Sequence, residues 1–278
     1  MIAVLIACFN RKDMTLDIVT KFAQHSEIFD LYIVDGGSTD GTRDLLKTLS
    51  KQFKNVKLVL RDDSYWAESM RAAWEIATTD EKYQGYLLLN DDLQIENKRI
   101  REFLDELLSF DDFEIRVGQC VDEPPTTITY GGLVRKNARS RIHFRIAHFG
   151  DKVVTFNGNF VYVPKNVVLK IGILSNKFRH SFADIDYGLR ATKRDIPIRL
   201  ISKPVGSTTY NSAWANSLAN LTLLNWKKIF FDPKGIPVKE WFYFCYTHGG
   251  IIWPLNFFMR YFKLLKRNHQ VTQNQNKK

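Results

Sequence analysis

Two short polar runs begin where apolar runs stop, and both carry residue types that hold charged ligands. Asn90-Asp91-Asp92 directly follows Tyr86-Leu87-Leu88-Leu89. Two carboxylates at the end of an apolar strand are costly to bury unless something compensates them. A divalent cation would do so, because hard oxygen ligands suit Mg²⁺ or Mn²⁺, and a site with one or two carboxylates completes its shell from phosphates and water. The same three residues also suit an ordinary turn, since Asn and Asp are favoured turn formers. Asp35-Gly36-Gly37-Ser38-Thr39-Asp40-Gly41 likewise follows an apolar run and opens a helix-like segment. Such a loop offers backbone amides and a positive dipole end to anionic groups, although it is neither a P-loop nor GxGxxG. Asp35 there would accept the ring imide hydrogen of a uracil or thymine. Its other reading is a helix cap, a task that Ser38, Thr39 or Asp40 would equally serve.

The elements that must position these loops are legible as an alternation. Short β-branched apolar runs alternate with longer segments of helical period over the first hundred residues, the pattern of a parallel sheet covered by helices. Ile2 to Cys8, Leu31 to Val34, Val56 to Leu60 and Tyr86 to Leu89 read as strands. Met14 to Gln24, Asp40 to Phe53 and Tyr65 to Ala77 read as helices. Open α/β sheets bind ligands at the carboxyl ends of their strands. Phe9-Asn10-Arg11 is the third polar loop expected there. From Ile115 to Tyr162 strand-like alternation and turn residues predict antiparallel additions, and a helix follows that carries Phe182 to Arg190. Gly158, in Asn157-Gly158-Asn159, would let the backbone approach a ligand closely.

The formal charge is +10, from 40 Lys and Arg against 30 acids, which favours an anionic partner such as nucleotide phosphate, nucleic acid or anionic lipid. Cys8, Cys120 and Cys245 lie far apart, so neither a disulfide framework nor a zinc site is encoded and a reducing cytosol is expected. No positive n-region precedes the apolar amino terminus, and no apolar run reaches membrane-spanning length; export and spanning are both disfavoured.

Four motifs in order now matter together: Cys8-Phe9-Asn10-Arg11, Val34-Asp35-Gly36-Gly37-Ser38-Thr39-Asp40-Gly41-Thr42, Leu88-Leu89-Asn90-Asp91-Asp92, and Ala183-Asp184-Ile185-Asp186-Tyr187-Gly188-Leu189-Arg190. The chain resembles the inverting family 2 glycosyltransferases of GT-A fold over roughly residues 1 to 210, and its last motif is similar to rhamnosyl- and galactofuranosyltransferase members acting on lipid-linked or polymeric glycans. The resemblance implies an α/β, Rossmann-like fold with a mixed central sheet flanked by helices, and a nucleotide-sugar donor with Mn²⁺ or Mg²⁺ as cofactor. It assigns Phe9 and Asn10 to the nucleoside pocket, Asp35 to the base, Gly37 and Trp66 to the donor pocket, Asp91 to ribose or donor sugar, and Asp92 to the metal. Asp184 would be the general base that deprotonates the acceptor hydroxyl. Asp186 would be a helper or an i,i+4 ion pair with Arg190.

The sequence departs from that family in three places. Asn90 replaces the first carboxylate of the metal motif, and Ala183 replaces the acid before the base. No histidine stands in Pro204 to Asn211, where some members carry a metal ligand. His180 would substitute as a ligand or be an ordinary hydrogen-bonded histidine.

The organisation expected is a catalytic domain over 1–210, with a nucleotide-binding half (1–110) and a catalytic half (111–210). A helical aromatic and basic segment follows over 211–268, then a disordered tail over 269–278. From Trp226 to Arg267 aromatics interleave with cations, and no acid follows Glu240. An amphipathic helix from Ile251 to Arg267 is expected to present Trp253, Phe257, Phe258, Tyr261 and Leu265 to a membrane surface, or else to the catalytic domain or a second copy in a homodimer. The partners expected are a nucleotide-sugar donor, a lipid-linked or polymeric glycan acceptor and the inner face of the cytoplasmic membrane, and no nucleic acid. A non-catalytic binder of nucleotide sugar or nucleic acid is the competing reading.

Overall fold

The computed structural model describes residues 1–108, 112–122, 127–137, 140–208 and 223–275. The expected boundary at 210/211, with Tyr210 and Asn211, lies outside the described residues. The first half alternates strictly: β1 (Ile2–Cys8), α1 (Lys12–Ala23), β2 (Phe29–Asp35), α2 (Thr42–Gln52), β3 (Val56–Leu60), α3 (Trp66–Ala77), β4 (Gly85–Asn90) and α4 (Asn97–Leu108). Short strands follow: β5 (Ile115–Val117), β6 (Cys120–Val121), β7 (Ile128–Tyr130), β8 (Gly132–Arg135), β9 (Phe144–Ile146), β10 (Thr155–Phe156) and β11 (Phe160–Pro164). Then come α5 (Lys165–Ile171), α6 (Ala183–Thr192), β12 (Ile198–Leu200), β13 (Gly206–Ser207), α7 (Leu223–Phe231), α8 (Val238–His248), a 3₁₀ turn (Gly250–Ile252) and α9 (Trp253–Gln275). The last helix thus runs through 269–275, where the sequence reads as a disordered tail.

The main sheet has the order β12-β5-β11-β4-β1-β2-β3. β4, β1, β2 and β3 are mutually parallel, while β11 is antiparallel to both β4 and β5. The antiparallel addition expected after Ile115 is therefore real, and β6 to β10 and β13 form two further three-stranded sheets.

β1 and β2 are buried on both faces, and alternate residues serve two cores. Ile2, Val4 and Ile6 join Ile18, Phe22, Leu46 and Phe103 beneath α1, α2 and α4. Ala3, Leu5 and Ala7 face Met70, Trp74 and Tyr187 beneath α3 and α6. Ile229, Trp241, Phe244 and Cys245 from α7 and α8 belong to that second core, so these helices pack on the side of the sheet that α3 and α6 cover.

Asp186 fixes that packing. Its buried carboxylate accepts from Arg190 Nε at 2.9 Å, the expected i,i+4 pair, and from His248 Nε2 at 2.8 Å. Arg190 also donates to the Ile171 and Ile173 carbonyls, so one carboxylate ties α6 to the end of α5 and to α8. Asp186→Ala strands His248 and Arg190 without their acid, and a loss of about 2–5 kcal/mol in denaturant unfolding is expected.

Candidate active site

Register brings the predicted motifs to one edge. Cys8 pairs with Asp35 and Ala7 with Asn90, so the loops after β1, β2 and β4 leave the sheet at the same level. β11 runs the other way, so its start, not its end, arrives there. Phe160 pairs with Leu89, and the Asn90 amide donates to the Asn159 carbonyl at 2.9 Å. Asn157-Gly158-Asn159 thereby joins the site. A cleft of about 1150 Å³ opens over this edge, with Phe9, Arg11, Gly37, Trp66, Asp91, Asp92, Gly158 and Asp184 among its walls.

Asp184 stands in the first turn of α6. Its Oδ2 accepts from the Gly158 amide at 3.0 Å and its Oδ1 from the Ile185 amide at 2.8 Å. Burial raises its pKa, and the two amides oppose that rise. The result is a fixed, part-buried carboxylate with more proton affinity than a surface aspartate, the character that a general base needs. A side chain at Gly158 would meet Trp66 at 2.7 Å and the Asp184 Cβ at 3.4 Å, so only glycine allows the three to touch.

Trp66 donates from Nε1 to Asn90 Oδ1 at 2.8 Å. Asn90, the unusual residue of the metal motif, therefore aims the indole that covers the cleft.

Asp91 and Asp92 share one cation. Arg11 Nη1 lies 2.8 Å from Asp91 Oδ1 and 2.8 Å from Asp92 Oδ2. Burial works against the Arg11 charge and the two carboxylates more than offset it, so its pKa is raised. Asp91 is almost fully buried and also accepts from Thr15 Oγ1. Burial pushes it up to about 6, against the pull of Arg11. Asp92 differs, because its Oδ1 is buried without any hydrogen-bond partner. Asp92 lines the cleft, and a buried oxygen without a donor suits a hard cation, whereas the described residues contain no group of three His, Cys, Asp or Glu that would cage one. The donor set fits an ion held through Asp92 and completed by ligand phosphates and water.

The remaining predicted residues divide. Phe9 is exposed in the cleft with Lys234 Nζ 5.3 Å above its ring. Asn10 is not a cleft wall: its Oδ1 accepts from the Thr39 amide at 2.7 Å and its own amide donates to Ser38 Oγ, joining the first two loops. Asp35 is completely buried below the floor. It accepts from Arg43 Nε at 2.7 Å and from the Ser38 amide at 3.1 Å, and it is not among the residues that line the cleft. Gly37 (φ 103°) lines the cleft directly. The cap expected from Ser38-Thr39-Asp40 comes from Asp40, which accepts from the Thr42 amide and hydroxyl beside a left-handed Gly41.

Sequence reasoning missed the roof. Asp232, Lys234 and Gly235, between α7 and α8, and Arg260 of α9 close the cleft from above. Their only signal was the aromatic and basic composition of the segment. A further mark is backbone strain: Asn10, Asp63 and Phe182 are non-glycine residues at positive φ, and all three stand in loops of the site.

His180 also lines the cleft, with a buried Nδ1 that has no partner. Burial and Lys234 lower its pKa to about 4, so the ring is neutral near pH 7. It comes into no three-ligand cluster with Asp92.

Parallel strands with polar loops at their carboxyl ends, a carboxylate pair and an isolated carboxylate share one cleft of an α/β fold. The sequence model of glycosyl transferase family 2 matches residues 3–175, more than half of the chain. The chain belongs to that family.

Solved structures similar to it include a mannosyltransferase, PcManGT from Pyrobaculum calidifontis, in complex with GDP-Man and Mn²⁺. The match has a TM-score of 0.54 and 14% identity, covering 78% of this chain and 59% of that one. S. aureus TarS matches at TM-score 0.52 and 11% identity, covering 82% of this chain and 39% of TarS; its 1–349 fragment matches at 0.52 and 13%, covering 82% and 65%. This chain therefore spans less than two thirds of each. No curated protein matches it. At these identities the likeness carries the fold, a mixed α/β sheet of the GT-A kind.

Glu240 of α8 is buried, and the Arg179 and His180 amides act against the effect of burial on its carboxyl. Burial pushes it up to about 7 from 4.5, and its Oε2 has no partner. The folded state holds this proton more tightly than the unfolded chain, so stability falls as pH rises between about 4.5 and about 7. Glu240→Gln is expected to raise the Tm relative to the native protein at pH 8 and not at pH 4, checked by thermal scans at both values.

Proposed function

We propose that the protein is an inverting glycosyltransferase that moves a sugar from a UDP- or dTDP-linked donor to a hydroxyl of a lipid-linked or polymeric surface glycan. The observation that carries this is the carboxylate of Asp184, held by the Gly158 and Ile185 amides in the cleft that also holds Trp66 and Asp92. Gly37 and Phe9 lie against the nucleoside, with Asp35 and Asn10 bracing their loops from behind. Trp66, aimed by Asn90, covers the donor sugar. Asp184 takes the proton of the acceptor hydroxyl as that oxygen attacks the anomeric carbon from the face opposite the diphosphate, so one displacement inverts the configuration. A Mg²⁺ or Mn²⁺ ion bound through Asp92 would supply charge stabilisation to the departing diphosphate. Arg11 offsets the charge of Asp91 and Asp92, and Lys234 adds positive charge from above. GDP-Man and Mn²⁺ in the similar mannosyltransferase support a donor-plus-metal reading of this cleft.

A membrane seat on the cytoplasmic side fits such an acceptor. α9 lies differently from the sequence expectation: Trp253, Phe257 and Tyr261 turn inward against the second core, and Arg260 turns into the cleft. The exposed apolar face is instead Ile251, Ile252, Leu255, Phe258 and Phe262, extended by Phe242 and Tyr246 of α8. The inversion arises because α8 and α7 offer Trp226, Phe230 and Trp241 as aromatic partners for the ring side of α9. No helix among the described residues is long and apolar enough to cross a membrane. An exposed apolar face on a segment without acids after Glu240 suits the headgroup plane of anionic lipid, where each basic residue contributes about 1 kcal/mol.

Calorimetry with UDP, dTDP, GDP and ADP, each with Mn²⁺ and with EDTA, tests the donor site: metal-dependent binding of UDP or dTDP is expected, and no binding of any of the four favours a different function. Asp184→Asn is expected to cut transfer roughly 10²–10⁴-fold while nucleotide affinity stays nearly constant. Because burial raises the Asp184 pKa, kcat/KM is expected to fall with decreasing pH through an apparent value above the ordinary 3.8. In flotation assays the triple variant Leu255→Ser, Phe258→Ser, Phe262→Ser is expected to leave anionic liposomes that retain the native protein.

A further inference from the structure

Arg260 is a cation on the inward side of a helix whose outward side is apolar. Its guanidinium carbon stands 4.6 Å from the ring centre of Trp241 and 5.5 Å from that of Phe182, and it lines the cleft. Among the described residues it has no ion pair and no hydrogen bond, and its electrostatic neighbours are Cys245 and Tyr261, not carboxylates. Residues 209–222 contain no acid and none follows Glu240. The other guanidinium of the cleft, Arg11, is committed to Asp91 and Asp92. A desolvated guanidinium held over two packed aromatic rings without a carboxylate is an unbalanced charge. The planar fork of Arg matches the oxygens of a phosphate.

Its location selects the substrate. Phe182, under Arg260, is the residue from which α6 starts, and Asp184 stands in the first turn of that helix. Lys234 lies over Phe9, at the nucleoside end. No hydrogen bond or ion pair joins Asp184 to Arg260, so base and cation are free to meet different parts of one molecule.

We propose that Arg260 binds a phosphate group of the acceptor, the same molecule whose hydroxyl Asp184 deprotonates. The inference rests on the transferase reading and deepens it. One helix then performs both tasks of acceptor capture: Leu255, Phe258 and Phe262 face the lipid, and Arg260 takes a phosphate at headgroup depth. A lipid-linked phosphate is the favoured source, and a soluble sugar phosphate offers the same chemistry.

The test uses the full chain, Trp fluorescence and calorimetry. The probes are glucose 1-phosphate, glucose, and phosphatidylcholine vesicles with and without polyprenyl phosphate, and UDP is titrated into every variant. The native protein is expected to bind glucose 1-phosphate over glucose and doped over plain vesicles. Arg260→Gln is expected to weaken both by roughly tenfold or more, Arg260→Lys to recover part, and UDP affinity to stay constant in both variants. Binding of glucose 1-phosphate without preference for doped vesicles supports the phosphate site and assigns it a soluble acceptor. Equal phosphate affinity in native and Arg260→Gln proteins overturns the proposal. A parallel loss of UDP affinity also overturns it, because Arg260 would then belong to the donor site. Failure of the native protein to bind UDP is separate: it removes the transferase reading and the proposal with it.

Discussion

Two adjacent carboxylates at the end of a buried strand need a countercharge, and the single Nη1 of Arg11 supplies it to both. That contact links the loop after β1 to the loop after β4 across the centre of the sheet. Thr15 adds a second link from α1 to Asp91. Asn10, next to Arg11, turns left-handed and ties the same loop to Thr39 and Ser38. The floor of the cleft is thus a set of three loops that hold each other through charge and backbone hydrogen bonds. One Asp92 oxygen is left over, buried without a hydrogen-bond partner.

The segment after β4 is attached to this floor by a change of strand direction. Because β11 is antiparallel to β4, its leading loop meets Asn90 at the ligand edge, and Gly158 reaches Asp184 from there. Asn90 then serves orientation: its amide oxygen receives the Trp66 indole, while its backbone amide fastens the β11 loop. A carboxylate in its place would also accept from the indole but would add a third negative charge beside Asp91 and Asp92. The amide keeps the pair within what Arg11 neutralises.

Much of this was legible in the sequence because the strands β1 to β4 are short apolar runs that end on polar residues. A sheet edge is readable wherever an apolar run stops at Asp35 or Asn90. Asp184 was legible through its motif, and Asp186 through its spacing from Arg190. What escaped depends on distance in the chain. The partner of Asn90 is 24 residues away and that of Asp92 is 81, so neither follows from local pattern. The orientation of α9 escaped for another reason: Trp253, Phe257, Phe258, Tyr261 and Phe262 place aromatics around most of the helix, so periodicity does not say which ones meet Trp226, Phe230 and Trp241. Asp35 was readable as a loop acid, but its commitment to Arg43 was not, since that guanidinium arrives from the following helix.

The roof of the cleft comes from the end of the chain, whereas its floor comes from the beginning. Domains emerge from the ribosome amino terminus first, so loops carrying Arg11, Asp35 and Asp92 exist before Lys234 and Arg260 can cover them. A chain interrupted before α8 also lacks His248, the clasp on Asp186. Such a fragment has the loops of the floor but not the cleft wall that carries Arg260. The cleft therefore acquires the walls carrying Lys234 and Arg260 only after the loops that carry Arg11 and Asp92 have formed.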